Sequence, residues 1–79
     1  MITGSQIRAA RALVKFTAQD LAEKAEVGLM TVRRAESSDN EIPNVNKPNL
    51  IAIKSTLEAA GIIFIAENGE GPGVRLKKQ

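Results

Sequence analysis

Apolar residues return at helical spacing four times along the chain. Each time they follow a residue able to cap a helix, with one apolar side chain just before the cap and another four places after it. Thr3 is the first cap: Gln6 completes a capping box, Ile2 and Ile7 staple the entry, and Ile7, Ala10, Leu13 and Val14 continue one face to about Lys15. Thr17 is the second, with Asp20 closing the box at the positive helix start and Phe16 against Leu21, for a short helix to about Ala25. Gly28 serves as the third, with Val27 and Val32 as staple, and predicts a helix from Leu29 to about Ser37. Asn46 is the fourth, stapled by Val45 and Leu50. Pro48 lies in the first turn, where its missing N–H costs nothing, and Leu50, Ile53, Leu57 and Ala60 carry the stripe until Gly61 ends it.

Beyond Gly61 the period changes. "IIFIA" is β-branched, "ENGEGPG" is turn chemistry and "VRLKK" alternates apolar with basic, so residues 62–78 are predicted to form a two-stranded hairpin. An isolated hairpin is marginal, and consecutive apolar residues point to both of its faces. One face is expected to pack on the helices and the other to seek a partner. A homodimer is the economical answer, with Ile62, Ile63, Phe64, Ile65, Val74 and Leu76 as its interface. The fold class is mainly α, four helices followed by a C-terminal β-hairpin, in a single domain spanning 1–79.

Composition narrows the chemistry. With no cysteine and no histidine, the chain lacks disulfides, thiolate nucleophiles, the usual zinc ligands and the side chain best suited to proton transfer near neutral pH. Neither catalysis, a metal nor a cofactor is expected, and no small-molecule ligand is evident. The longest apolar run, Ile62 to Ala66, is too short to span a bilayer, and the start "MITGSQIRAARALVKF" has no signal-peptide core, so a cytoplasmic protein is expected. A net charge of +2 argues for no polyanionic partner by itself. Its distribution does more: through Ser37, Arg8, Arg11, Lys15, Lys24, Arg33 and Arg34 outnumber Asp20, Glu23, Glu26 and Glu36, while the remainder balances.

Only Glu26, Val27 and Gly28 separate the second and third predicted helices, which forces a sharp angle and predicts a helix-turn-helix arrangement. Val32 and Ala35 then face the core, leaving Leu29, Met30, Arg33, Arg34 and Ser37 on the opposite side. Arginine can grip a guanine edge or a phosphate, and an apolar side chain can meet a thymine methyl. Arg8, Arg11 and Lys15 form a basic stripe on the first helix, read as largely structural or solvated. "GEGPG" precedes a strand and contains Pro72, so it is read as a turn rather than a phosphate loop.

The run "IRAARALVKFTAQDLAEKAEVGLMTVRRAE", with Pro43 and a further apolar helix, resembles the Xre/Cro phage-repressor-like helix-turn-helix family over roughly Ile7 to Leu57. The resemblance implies a transcriptional regulator, a repressor, that binds double-stranded DNA at an inverted repeat as a homodimer. It gives the base-reading role to Leu29, Met30, Arg33 and Arg34, and backbone contacts to Thr17, Ala18, Gln19, Thr31, Ser37, Asn40 and Asn44. It further implies a structural ion pair between Arg11 and Glu36. The chain departs from the family pattern at Ala18, where a glutamine is usual, at Glu26, where a turn glycine is usual, and in the loop acids Asp39 and Glu41. The alternative expectation is a protein-interaction module, an antiactivator or antitoxin-like adaptor, that holds a protein partner with Leu29, Met30 and the apolar strand.

Overall fold

Both predicted capping boxes close. Thr3 Oγ1 accepts from the Gln6 N–H at 3.2 Å while Gln6 Oε1 accepts from the Thr3 N–H at 2.9 Å, and Thr17 and Asp20 make the same reciprocal pair at 2.9 Å each. The computed structural model describes residues 2–78. Among them are helices α1 (Gly4–Leu13), α2 (Ala18–Ala25), α3 (Leu29–Glu36) and α4 (Lys47–Ala59), then strands β1 (Ile62–Ile65) and β2 (Gly73–Leu76). About half the chain is helical. Asn46 Oδ1 caps α4 through the Asn49 N–H at 2.9 Å, and Gly28 caps α3 without a side-chain bond. No helix is long and apolar enough to cross a membrane among the described residues.

Two boundaries differ from the pattern. α1 stops at Leu13, short of Lys15, because the chain reverses there: Lys15 takes φ 61°, and the Phe16 N–H returns to the Arg11 carbonyl at 3.0 Å. That reversal turns Phe16 back to pack against the core at the start of α2. α3 ends at Glu36, and Ser37 is its cap residue. Glu26 ends α2 in the left-handed conformation at φ 57°, ψ 43°, which costs a residue with a side chain about 1 kcal/mol.

Ile7, Leu21, Val32, Ile53 and Leu57 are the largest fully buried side chains, one or two from each helix, and the hairpin closes over them. β1 and β2 pair antiparallel with Ile62 opposite Leu76 and Phe64 opposite Val74, so these four share the face turned to the helices, while Ile63, Ile65 and Arg75 share the other. Gln6 fixes that packing. Its oxygen is spent in the α1 capping box, and its buried amide nitrogen donates to the Ile65 carbonyl at 3.2 Å and the Gly73 carbonyl at 2.9 Å. The start of α1 is thus bonded to both strands at the end where the loop joins them. The six-residue interface expected on the hairpin is corrected accordingly. Ile62 is 3% exposed and belongs to the core, and Phe64 and Val74 are packed against it, because a two-stranded sheet over so small a core gives up one whole face to it. Ile63, Ile65 and Leu76 keep free surface.

Candidate nucleic-acid interface

α3 is two turns long, and its heptad-like spacing decides what it shows. Val32 and Ala35 are fully buried, while Met30 is 66% exposed and Arg33 and Arg34 lie in solvent one turn further on. Neither guanidinium makes a side-chain hydrogen bond or ion pair with another described residue. Leu29 does not join them. It is half-buried and packs against the core. It therefore offers less free surface to a partner than Met30 does. Thr31 is half-buried, and Ser37 is exposed with its hydroxyl donating to the Arg34 carbonyl at 2.8 Å.

The positions expected to flank this face are mixed in what they can offer. Thr17 is exposed, but its side chain is engaged in the capping box; Ala18 packs against the core; the Gln19 amide donates to Glu23 at 2.9 Å. What the first turn of α2 does present is backbone: the Ala18 and Gln19 N–H groups are too early in the helix to have an intrahelical acceptor. Asn40 and Asn44 are exposed in the loop after α3.

Two arginines of α1 hold α3 from behind. Arg11 makes the ion pair expected of it, with Nε 2.8 Å and Nη2 3.1 Å from the two carboxylate oxygens of Glu36, and it donates also to the Phe16 carbonyl at 3.1 Å. Glu36 is 8% exposed, so its charge is buried against the partly exposed Arg11 guanidinium. The side-chain hydrogen bond to Glu36 holds the Arg11 guanidinium above its ordinary pKa, against the opposing effect of burial. Arg8 donates to the Glu36 carbonyl and to Ser5 Oγ, and pairs with Asp39 at 3.0 Å. Sequence reading left Arg8 solvated. No local signal names its partners, since the Glu36 carbonyl is 28 residues away in the chain. The pairing also offsets the charge of Asp39, one of the two loop acids that would repel a phosphate.

In the hairpin loop, the Glu67 carboxylate accepts from the Gly69 N–H at 2.7 Å and the Gly71 N–H at 3.0 Å. Those amides already serve an anion of the chain's own, which agrees with a turn rather than a phosphate cradle. On α3, the exposed Met30, Arg33 and Arg34 form a face with no side-chain partner among the described residues. Comparison with known protein families and with curated proteins finds no match to this chain.

Proposed function

We propose that the protein is a sequence-specific DNA-binding transcriptional regulator, a repressor, with α2 and α3 acting as a helix-turn-helix and α3 entering the major groove. The observation that carries this reading is the division of labour on α3. Glu36, Val32 and Ala35 anchor its inner side, and Met30, Arg33 and Arg34 stand on its outer side with no partner of their own. A rigid helix that offers two free guanidiniums and a thioether matches the donor-seeking guanine edge and the thymine methyl of a major groove. The free N–H groups at the start of α2, with Asn40 and Asn44, fit the role of setting the register on phosphates.

The single module is small, so useful affinity calls for two. Ile63 and Ile65 on the outward face of the hairpin, with Leu76 at its rim, are the surface for a second copy, and the two half-sites would then lie about 34 Å apart. A cytoplasmic location goes with this reading. The test is selection of bound sequences from a random duplex library, followed by footprinting. Two symmetric protected half-sites are expected, together with loss of binding in an Arg33→Ala, Arg34→Ala variant that still folds. No enriched sequence, or a variant that binds as well as the parent, would refute the proposal.

A second reading has an observation of its own. Met30 and Ile42 are large apolar side chains 66% and 60% exposed, which also suits an adaptor that grips another protein. On that reading the doubly substituted variant would retain its protein partner.

A further inference from the structure

The hairpin loop holds a modification site. We infer that Asn68 converts spontaneously to an aspartyl or isoaspartyl residue, through a cyclic imide formed with the backbone nitrogen of Gly69. In that reaction the Gly69 nitrogen gives up its proton and attacks Cγ of Asn68, forming a nitrogen–carbon bond. The Cγ–Nδ2 bond then breaks, and Nδ2 leaves as ammonia with the proton returned to it. Water opens the five-membered imide at one carbonyl or the other. One route restores the ordinary backbone with an Asp side chain, and the other passes the backbone through the side-chain carboxyl. Nothing is oxidised or reduced, and water is the only co-reactant.

Both ends of the reacting pair are already hydrogen-bonded in the sense this chemistry needs. Oε2 of Glu67 accepts the Gly69 N–H at 2.7 Å, so a carboxylate sits on the proton that the nucleophile must lose. The same oxygen accepts the Gly71 N–H at 3.0 Å, which holds it in place. Asn68 Oδ1 receives the Glu70 N–H at 3.3 Å, where negative charge gathers as Cγ becomes tetrahedral. Gly69 lies at φ +99° with nothing within 4 Å of the place a Cβ would take, and both residues are exposed, so neither crowding nor burial keeps water from the imide. The other asparagines lack this arrangement: Asn40, Asn44, Asn46 and Asn49 precede Glu41, Val45, Lys47 and Leu50, and the Asn46 side chain is held in the α4 cap.

The product exchanges an amide for a carboxylate between Glu67 and Glu70 and lowers the net charge from +2 by one. The isoaspartyl form also lengthens the backbone inside the loop that joins β1 to β2.

The test is to keep the purified full chain at neutral pH and physiological temperature and follow ammonia loss by peptide mass mapping, with isoaspartyl methyltransferase labelling for the rearranged product. The comparisons are a Glu67→Gln variant and the same chain unfolded in guanidinium chloride. Asn68 is expected to react several-fold faster than any other asparagine, and faster in the folded chain than in the unfolded one. Glu67→Gln is expected to slow it several-fold without altering the circular dichroism. A folded rate no higher than the unfolded rate would overturn the inference even if Glu67→Gln misfolded, and so would an unchanged rate in a folded Glu67→Gln protein.

Discussion

Replacing Gly4 with alanine tests how α1 and α3 are joined. A Cβ at that position would lie 2.6 Å from the Ala35 carbonyl oxygen, 2.7 Å from the Glu36 carbonyl oxygen and 2.5 Å from Ser38 Oγ. The serine hydroxyl can rotate away; the two carbonyls belong to the last turn of α3 and cannot. Restoring ordinary van der Waals separation parts the helices by roughly 0.8 Å at this point. The Ser5 N–H bond to the Asp39 carbonyl, now 2.9 Å, would then stretch beyond useful range, and Arg8 would be drawn off the Glu36 carbonyl. Overpacking of this kind costs about 1–3 kcal/mol. The better helix propensity of alanine returns less than about 1 kcal/mol, because Gly4 is the first residue of its helix. A net loss of about 1–2 kcal/mol follows, which lowers the Tm of a domain this size by roughly 4–16 °C. Urea denaturation followed by far-ultraviolet circular dichroism measures it, with Gly73→Ala as control because a Cβ there meets nothing closer than 3.9 Å. A midpoint for Gly4→Ala equal to or above the parent, at unchanged m, would refute the reasoning.

Glu26→Gly is expected to raise stability by about 1 kcal/mol, since it removes the strain of a left-handed residue; a calorimetric Tm that does not rise contradicts this. Arg11→Ala strands the Glu36 carboxylate behind α3 and is expected to cost about 3 kcal/mol, whereas the double change Arg11→Met, Glu36→Leu should cost much less in the same denaturation assay. Asp20 has its pKa lowered, chiefly by the Thr17 backbone N–H and then by the Thr17 hydroxyl. Its contribution is therefore full above the unfolded carboxylate value of about 3.9 and is lost as pH falls through the folded value, so the Tm gap between the parent and Asp20→Ala should be constant near neutrality and close in acid. If Arg33 and Arg34 of two protomers lie against phosphates rather than base edges, DNA binding should follow salt with a logarithmic slope of about −4, and a slope near zero by fluorescence anisotropy would exclude phosphate contact by them.

The helix starts were legible because capping is local: a threonine and the residue three places on suffice to write a box, and both boxes formed. Helix ends were less so. Lys15 and Glu26 reverse the chain at φ 61° and 57° without a glycine to announce it, and only the pull of Phe16 and Val27 toward the core explains the reversals. Periodicity put Leu29 on the outer face of α3, whereas it is half-buried against the core. The hairpin was visible as strands and turn, whereas its docking on α1 through the Gln6 amide reaches carbonyls 59 and 67 residues away. No pattern along the chain encodes that contact.

Charge shows the same limit in a way that bears on function. Counted along the sequence, the first helix looks like a basic stripe and the loop after the third like an acidic obstacle. Folding cancels much of both. Arg11 meets Glu36 in a largely buried pair, and Arg8 meets Asp39 in an exposed one that offsets part of each charge. The guanidiniums left without an internal acid are Arg33 and Arg34 on α3 and Arg75 on the outward face of the hairpin, among the described residues. A ligand that takes bidentate hydrogen bonds from guanidinium therefore meets two such groups together on the outer side of α3. The arginines behind that helix supply rigidity in place of attraction, and a helix already fixed in orientation forfeits less entropy when it docks.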